Sequence, residues 1–143
     1  FVPMIMSSGG NSGNQSATLI ITAMTTSDVK LSDWRRVLFR EVLVGLMLGA
    51  VLAAFGLLLS WFMTRNHPDA KLHLLWPLVV PITLVVVVTS GAVTGSLLPL
   101  MFKRLGLDPA LMSNPFVAGI SDILGIVIYM SVSMTLLARM SGN

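Results

Sequence analysis

Residues 116–138 form a run of 23 positions with a single charged side chain, Asp122. A run of that length and character crosses a bilayer as a helix, because lipid offers no partners for backbone N–H and C=O groups. Asp122 then sits about 9 Å along the axis from Phe116, at a rise of ~1.5 Å per residue. An intramembrane carboxylate costs on the order of 3 kcal/mol, so it is expected to face protein, water or an ion rather than lipid. At helical spacing Asn114, Ala118, Asp122 and Gly125 share one face, combining two oxygen-bearing side chains with two small ones. That face is a candidate cation site.

The rest of the chain agrees with a membrane protein. Of its 143 residues 55% are hydrophobic and only 10% charged, and mean hydropathy is +0.86, outside the range of ordinary soluble domains. The absence of cysteine excludes disulfides and thiolate metal sites, leaving oxygen or imidazole ligands. His67 and His73 flank a polar loop without metal-binding helical spacing and read as solvated. The net charge of +3 comes from basic residues between apolar spans, where such residues orient a membrane protein, so no nucleic-acid partner is expected. The chain opens on Phe1-Val-Pro-Met-Ile-Met, partway into an apolar segment, and reads as a piece of a longer protein.

Residues 1–25 enclose Ser7-Ser-Gly-Gly-Asn-Ser-Gly-Asn-Gln-Ser16 between apolar ends. In isolation that centre looks like a flexible linker, but the length of the whole is that of one crossing. As a helix it carries a polar stripe of Asn11, Asn14 or Gln15, and Thr18, with Gly9 and Gly13 allowing close approach. The stripe is either glue between helices or the wall of a water-filled path. Burial would make the Asn14-Gln-Ser16 glycosylation match spurious.

Residues 27–41 are the most polar stretch. Ser32 or Asp33 is expected to cap an interfacial helix with Trp34, Val37, Leu38 and Glu41 at helical spacing and Arg35, Arg36 and Arg40 toward water or lipid phosphates. A second crossing is expected over 42–63, with Gly45-x-x-x-Gly49 and Gly56 for tight packing. A polar loop over 64–73 takes turn chemistry from Asn66 and Pro68. A third crossing covers 74–102, with Gly91-x-x-x-Gly95 and with Pro77, Pro81 and Pro99 near its ends. A basic loop, with one helical turn starting near Asp108-Pro109, leads into the Asp122 helix. Asp122 is expected to be the only buried carboxylate.

Lys30, Arg35, Arg36, Arg40, Lys103 and Arg104 fall on one side of the membrane, against Arg65, Lys71 and Arg139 on the other. The first side, with loops 26–41 and 103–115, is therefore expected to be cytoplasmic, in a multi-pass protein of the cell inner (plasma) membrane. No catalytic constellation stands in the sequence, so an enzyme is not expected. The oxygen donors suit hard cations, magnesium first, with manganese or calcium as further candidates. One carboxylate does not neutralise a divalent ion, whereas two copies of the chain around a twofold axis supply two.

Gly9-Gly-Asn-Ser-Gly-Asn-Gln-Ser-Ala-Thr18, Leu97-Leu-Pro-Leu100, Leu107-Asp-Pro-Ala-Leu-Met-Ser-Asn-Pro115 and Ser121-Asp-Ile-Leu-Gly125 occur here in order. Together they closely resemble the membrane domain of the MgtE family of magnesium channels, over essentially the whole chain. The resemblance implies an all-α helix bundle with four of the family's five membrane helices present over 1–143, the first of them truncated. It implies that N-terminal cytoplasmic regulatory domains and a first membrane helix lie outside this chain. It further implies a pore at a homodimer interface, with Asp122 holding hydrated magnesium, Asn114 and Ala118 beside the ion, and Asn11, Asn14, Gln15, Thr18 and Gly125 lining the path. An ion-coupled carrier, using protons or sodium, and a structural membrane subunit are the competing readings.

Overall fold

The computed structural model describes residues 1–65 and 70–141. Helix α1 (Val2–Thr25) is followed by a 3-10 turn (Leu31–Asp33), then α2 (Trp34–Thr64), α3 (Ala70–Arg104) and α4 (Pro109–Ser141). The central helix is α3, which packs against each of the other three, and α1 also packs against α4. Among the described residues three helices qualify as membrane spans by length and hydropathy, over Leu31–Thr64, Pro77–Arg104 and Ser113–Ala138. The chain is thus an all-α, multi-pass membrane bundle. Helix α1 has the length of a crossing, about 36 Å at ~1.5 Å per residue, and the Gly/Ser/Asn stretch runs through it without a break.

Helix α2 explains why the bundle needs lipid. Its buried positions are Val37, Glu41, Gly45, Gly49, Gly56, Ser60 and Thr64, at spacings of four and seven. Its outer face carries Phe39, Met47, Phe55, Leu58 and Phe62, all more than half exposed. Small and polar residues face inward and large apolar ones outward, the reverse of a soluble bundle and the pattern expected where lipid is the solvent.

The glycine pairs close both main seams of α3. A Cβ on Gly45 would stand 2.7 Å from Thr89 Cα, and one on Gly49 2.9 Å from Val85 Cα, so α2 and α3 touch backbone to backbone. Gly91 and Gly95 meet the carbonyls of Gly9 and Gly13 on α1 just as closely. Both glycine pairs are used within the chain. Above and below these seams, Ile5, Val80, Leu84 and Val87 form one apolar cluster, and Ile20, Met24, Val37 and Leu100 form another.

Several boundaries differ from expectation. The interfacial helix and the second crossing are one continuous α2, because nothing between Trp34 and Thr64 interrupts the backbone ladder. Neither Ser32 nor Asp33 caps that helix through its side chain; the Asp33 carboxylate instead accepts the Lys30 N–H at 2.9 Å and holds the 3-10 turn. The turn near Asp108-Pro109 is the start of α4 itself. Asp108 Oδ1 accepts the Ala110 N–H at 2.8 Å, Pro109 needs no donor in a first turn, and the helix runs on through Pro115. Helix α3 ends in a C-terminal cap at Gly106 (φ 76°), where Leu107 N–H reaches Phe102 O at 2.9 Å and Gly106 N–H reaches Lys103 O at 3.2 Å. Expected loops 26–41 and 103–115 therefore shrink to 26–33 and 105–108. His73 belongs to α3, while Asn66, His67 and Pro68 lie outside the described residues.

Candidate ion site

Helix α4 turns a line of residues inward, Ser113, Val117, Ser121 and Gly125, each four positions after the last. Val117 Cγ1 and Ser121 Oγ lie 2.7 and 3.3 Å from where a Cβ on Gly13 would stand, and Met6 Cγ lies 3.5 Å from the corresponding point on Gly125. Gly13 is thus level with residues 117–121 and Met6 with Gly125, so α1 and α4 run antiparallel. Asn114, Ala118 and Asp122 keep the same spacing one position round, ~100° from the inner line. Asn114 and Asp122 are exposed and Ala118 is half-buried. Gly125, grouped with them by spacing, instead packs inward against α1.

Helix α1 divides in the same way. Ile5, Gly9, Ser12, Gly13, Ser16 and Ile20 are buried, whereas Asn11, Gln15 and Thr18 are exposed and Asn14 is half-buried. Asn11, Asn14, Gln15, Thr18 and Leu19 border an open concavity of about 510 Å³. Thr18 Oγ1 donates to Asn14 O at 2.9 Å, and Asn11 Nδ2 donates to Ser7 Oγ at 3.4 Å. Asn14 Oδ1 is shielded from solvent and has no donor among the described residues. Going round each helix from its contact with α3, the α1–α4 contact comes next, then Asn14 on α1 and Asp122 on α4. The two polar faces therefore open on the same side of the α1–α4 seam.

At ~100° per residue, the antiparallel register puts Ala118 near the level of Asn14, and Asp122 about one turn farther along, toward Gly9 and Gly10. Among the described residues no donor or cation reaches the Asp122 carboxylate, and no three His, Asp or Glu side chains gather into a metal cluster. What the chain presents is one carboxylate, two amide-bearing helices and an open side. Such a surface can hold a hydrated cation through hydrogen bonds, but it offers too few ligands to strip one.

One expectation is overturned. Asp122 is exposed, and among the described residues the buried carboxylate is Glu41, only 3% exposed. Glu41 Oε2 accepts a 2.6 Å hydrogen bond from Ser16 Oγ, on the side of α1 away from the polar stripe. The signal was the four-residue line Val37, Glu41, Gly45, Gly49, which puts Glu41 in register with the small residues that pack on α3. The same bond settles the glycosylation match, since Ser16 is buried within the bundle.

Residues 2–132 match the family model for MgtE, described as a divalent cation transporter. The chain is 48% identical over 137 residues to the magnesium transporter MgtE of Thermus thermophilus, an alignment covering 96% of this chain and 29% of that protein. It is 29% identical over 133 residues to the magnesium transporter MgtE of Enterococcus faecalis and 27% identical over 133 to that of Bacillus subtilis, covering 93% of this chain and 28% of each relative. The chain thus spans less than a third of the length of these relatives.

Proposed function

The chain belongs to the MgtE family of divalent cation transporters, and from that premise we propose that it forms the pore of a homodimeric channel that passes hydrated magnesium across the membrane. The observation that carries the proposal is the exposed Asp122 on a helix otherwise bordered by lipid-compatible residues, opening on the same side as the Asn11, Asn14, Gln15 and Thr18 face of α1. Lipid does not tolerate that combination of an ionised and several amide groups at membrane depth. A second copy across a twofold axis closes the open side, doubles the carboxylate and balances a divalent charge.

In this arrangement each residue has a distinct task. Asp122 supplies charge at the site. Asn114, toward the helix start, and the α1 amides supply neutral hydrogen-bonding groups for the ion's own water molecules, and Ala118 leaves room for the hydrated ion. Magnesium sheds water reluctantly and is usually held with several waters in place, which suits a site built from one carboxylate per chain. Manganese and calcium, which dehydrate more readily, are expected as secondary ligands. The excess of basic residues at the end bearing residues 26–33 and 105–108 supports a cytoplasmic location for that end, with Asp122 in the cytoplasmic half. The role is transport rather than catalysis.

Planar-bilayer recording of the full-length protein in magnesium solutions tests the reading. Resolved unitary magnesium currents that vanish in Asp122→Ala are the expected result. Flux coupled to a proton or sodium gradient without unitary currents would identify a carrier, and unchanged transport by Asp122→Ala would reduce Asp122 to a structural group.

A further inference from the structure

We propose that the groove between the start of α2 and the end of α3 is a binding site for an anionic phospholipid. The groove, of about 230 Å³, is lined by Leu31, Trp34, Leu97, Leu100, Met101 and Arg104. Its floor is apolar, with Leu100 only 5% exposed, and Trp34 and Met101 stand half out of it. Arg104 closes its outer end, at the last turn of α3. A second guanidinium, that of Arg35, lies over the Trp34 ring with Cζ 5.6 Å from the centroid.

Three features select the occupant. First, the groove lies where two spans leave the membrane, and its floor continues along α3 into the spanning region, as an acyl chain requires. A tryptophan at that depth is typical of the headgroup boundary. Second, the two guanidinium groups are uncompensated: among the described residues no carboxylate lies within ion-pairing distance of Arg35 or Arg104. The acidic residues of this end are engaged elsewhere, Asp28 by the Thr26 hydroxyl, Asp33 by the Lys30 N–H and Asp108 by the Ala110 N–H. Third, guanidinium groups match phosphate oxygens with paired hydrogen bonds, and a basic juxtamembrane surface attracts anionic lipid. The neighbouring cavity makes the contrast. It is lined by Arg36 and Arg40 together with Asp28 and Asp33, so its lining carries as many acidic as basic side chains.

The test is native mass spectrometry of the intact protein in mild detergent, titrated with phosphatidylglycerol or with phosphatidylcholine of the same acyl chains. The wild type is expected to retain phosphatidylglycerol at least tenfold more tightly. Each of Arg35→Gln and Arg104→Gln is expected to weaken that binding about 5-fold, the effect of about 1 kcal/mol per basic residue near the surface. Met101→Trp, which fills the groove without changing charge, is expected to weaken both lipids. Arg36→Gln with Arg40→Gln is the control, removing two charges of the same end outside the groove, and it should leave the preference in place. Equal loss in the control pair would mean that bulk surface charge, not the groove, attracts the lipid. Absence of any preference in the wild type, as when another segment or a second copy covers the groove, overturns the proposal, as does full competition by inorganic phosphate. Thermal unfolding of each variant, matched to the wild type, separates loss of lipid from loss of fold.

Discussion

Ser16 Oγ donates a 2.6 Å hydrogen bond to Glu41 Oε2, joining α1 to α2 in the interior of the bundle. Because Ser16 lies on the side of α1 away from Asn11, Asn14 and Thr18, this bond fixes the rotation of α1 about its axis and with it the aim of the polar face. A buried carboxylate that loses its one donor keeps its desolvation cost without compensation. Ser16→Ala is therefore expected to destabilise the protein by about 1–3 kcal/mol, while Ser16→Ala combined with Glu41→Leu recovers much of the loss because both partners then become apolar. Unfolding in detergent, arranged as a double-mutant cycle, measures both. Additive losses would show that the two side chains do not depend on each other.

Asp122→Asn is expected to reduce magnesium transport more than Asn114→Ala does. The first change removes the charge that balances a divalent ion, and the second removes one neutral hydrogen-bonding group. Magnesium-dependent growth of a transport-deficient strain reports the order. If Asn114→Ala proves the more damaging, the centre of the site lies nearer the start of α4.

Retention of the hydration shell has its own signature. A directly bound magnesium would stand about 2.1 Å from a carboxylate oxygen, whereas an intervening water places it at roughly 4 Å. An inert hexaammine complex close in size to hydrated magnesium is accordingly expected to compete for transport and to lose its effect in Asp122→Asn. Indifference of the wild type to the complex would indicate direct coordination.

The open face of the seam predicts how two copies meet. The chain has no cysteine, so single cysteines can be placed at will. Gln15→Cys is expected to crosslink two copies in the membrane, whereas Phe55→Cys, on the lipid-facing side of α2 and 64% exposed, is not. The reverse pattern would place the dimer contact on α2.

How much of this was legible in the sequence varies with the physics involved. Helix α1 was legible from length alone, despite ten residues of linker-like composition, because a crossing needs a fixed number of residues and the membrane penalises any break in the backbone ladder. The Asp122 face was legible from four-residue spacing. Gly125 was misgrouped because the turn of 3.6 residues carries position 125 toward the inner line, where Met6 waits. Glu41 was missed for a different reason. Arg35, Arg36 and Arg40 make its surroundings look aqueous in one dimension, and only the docking of Ser16 shows that its side chain leaves them. Helix α4 starts earlier than expected because a proline in the first turn, or one in a membrane helix, does not end a helix.

The seam between α1 and α3 also sets an order of events during synthesis. Ser12 donates to Val88 O, a partner made 76 positions later, and Gly9 and Gly13 meet Gly91 and Gly95, which are made later still. Helix α1 leaves the ribosome before the three helices it is housed with, carrying Asn11, Asn14 and Gln15 on one side and bare glycine backbone on the other, with none of α2, α3 and α4 yet made. The α2–α3 pair, joined through a short connection and its own glycine contacts, completes before α1 can settle. The most polar helix of the bundle is thus born early and housed late, and until α3 arrives it depends on the insertion machinery rather than on lipid for shelter.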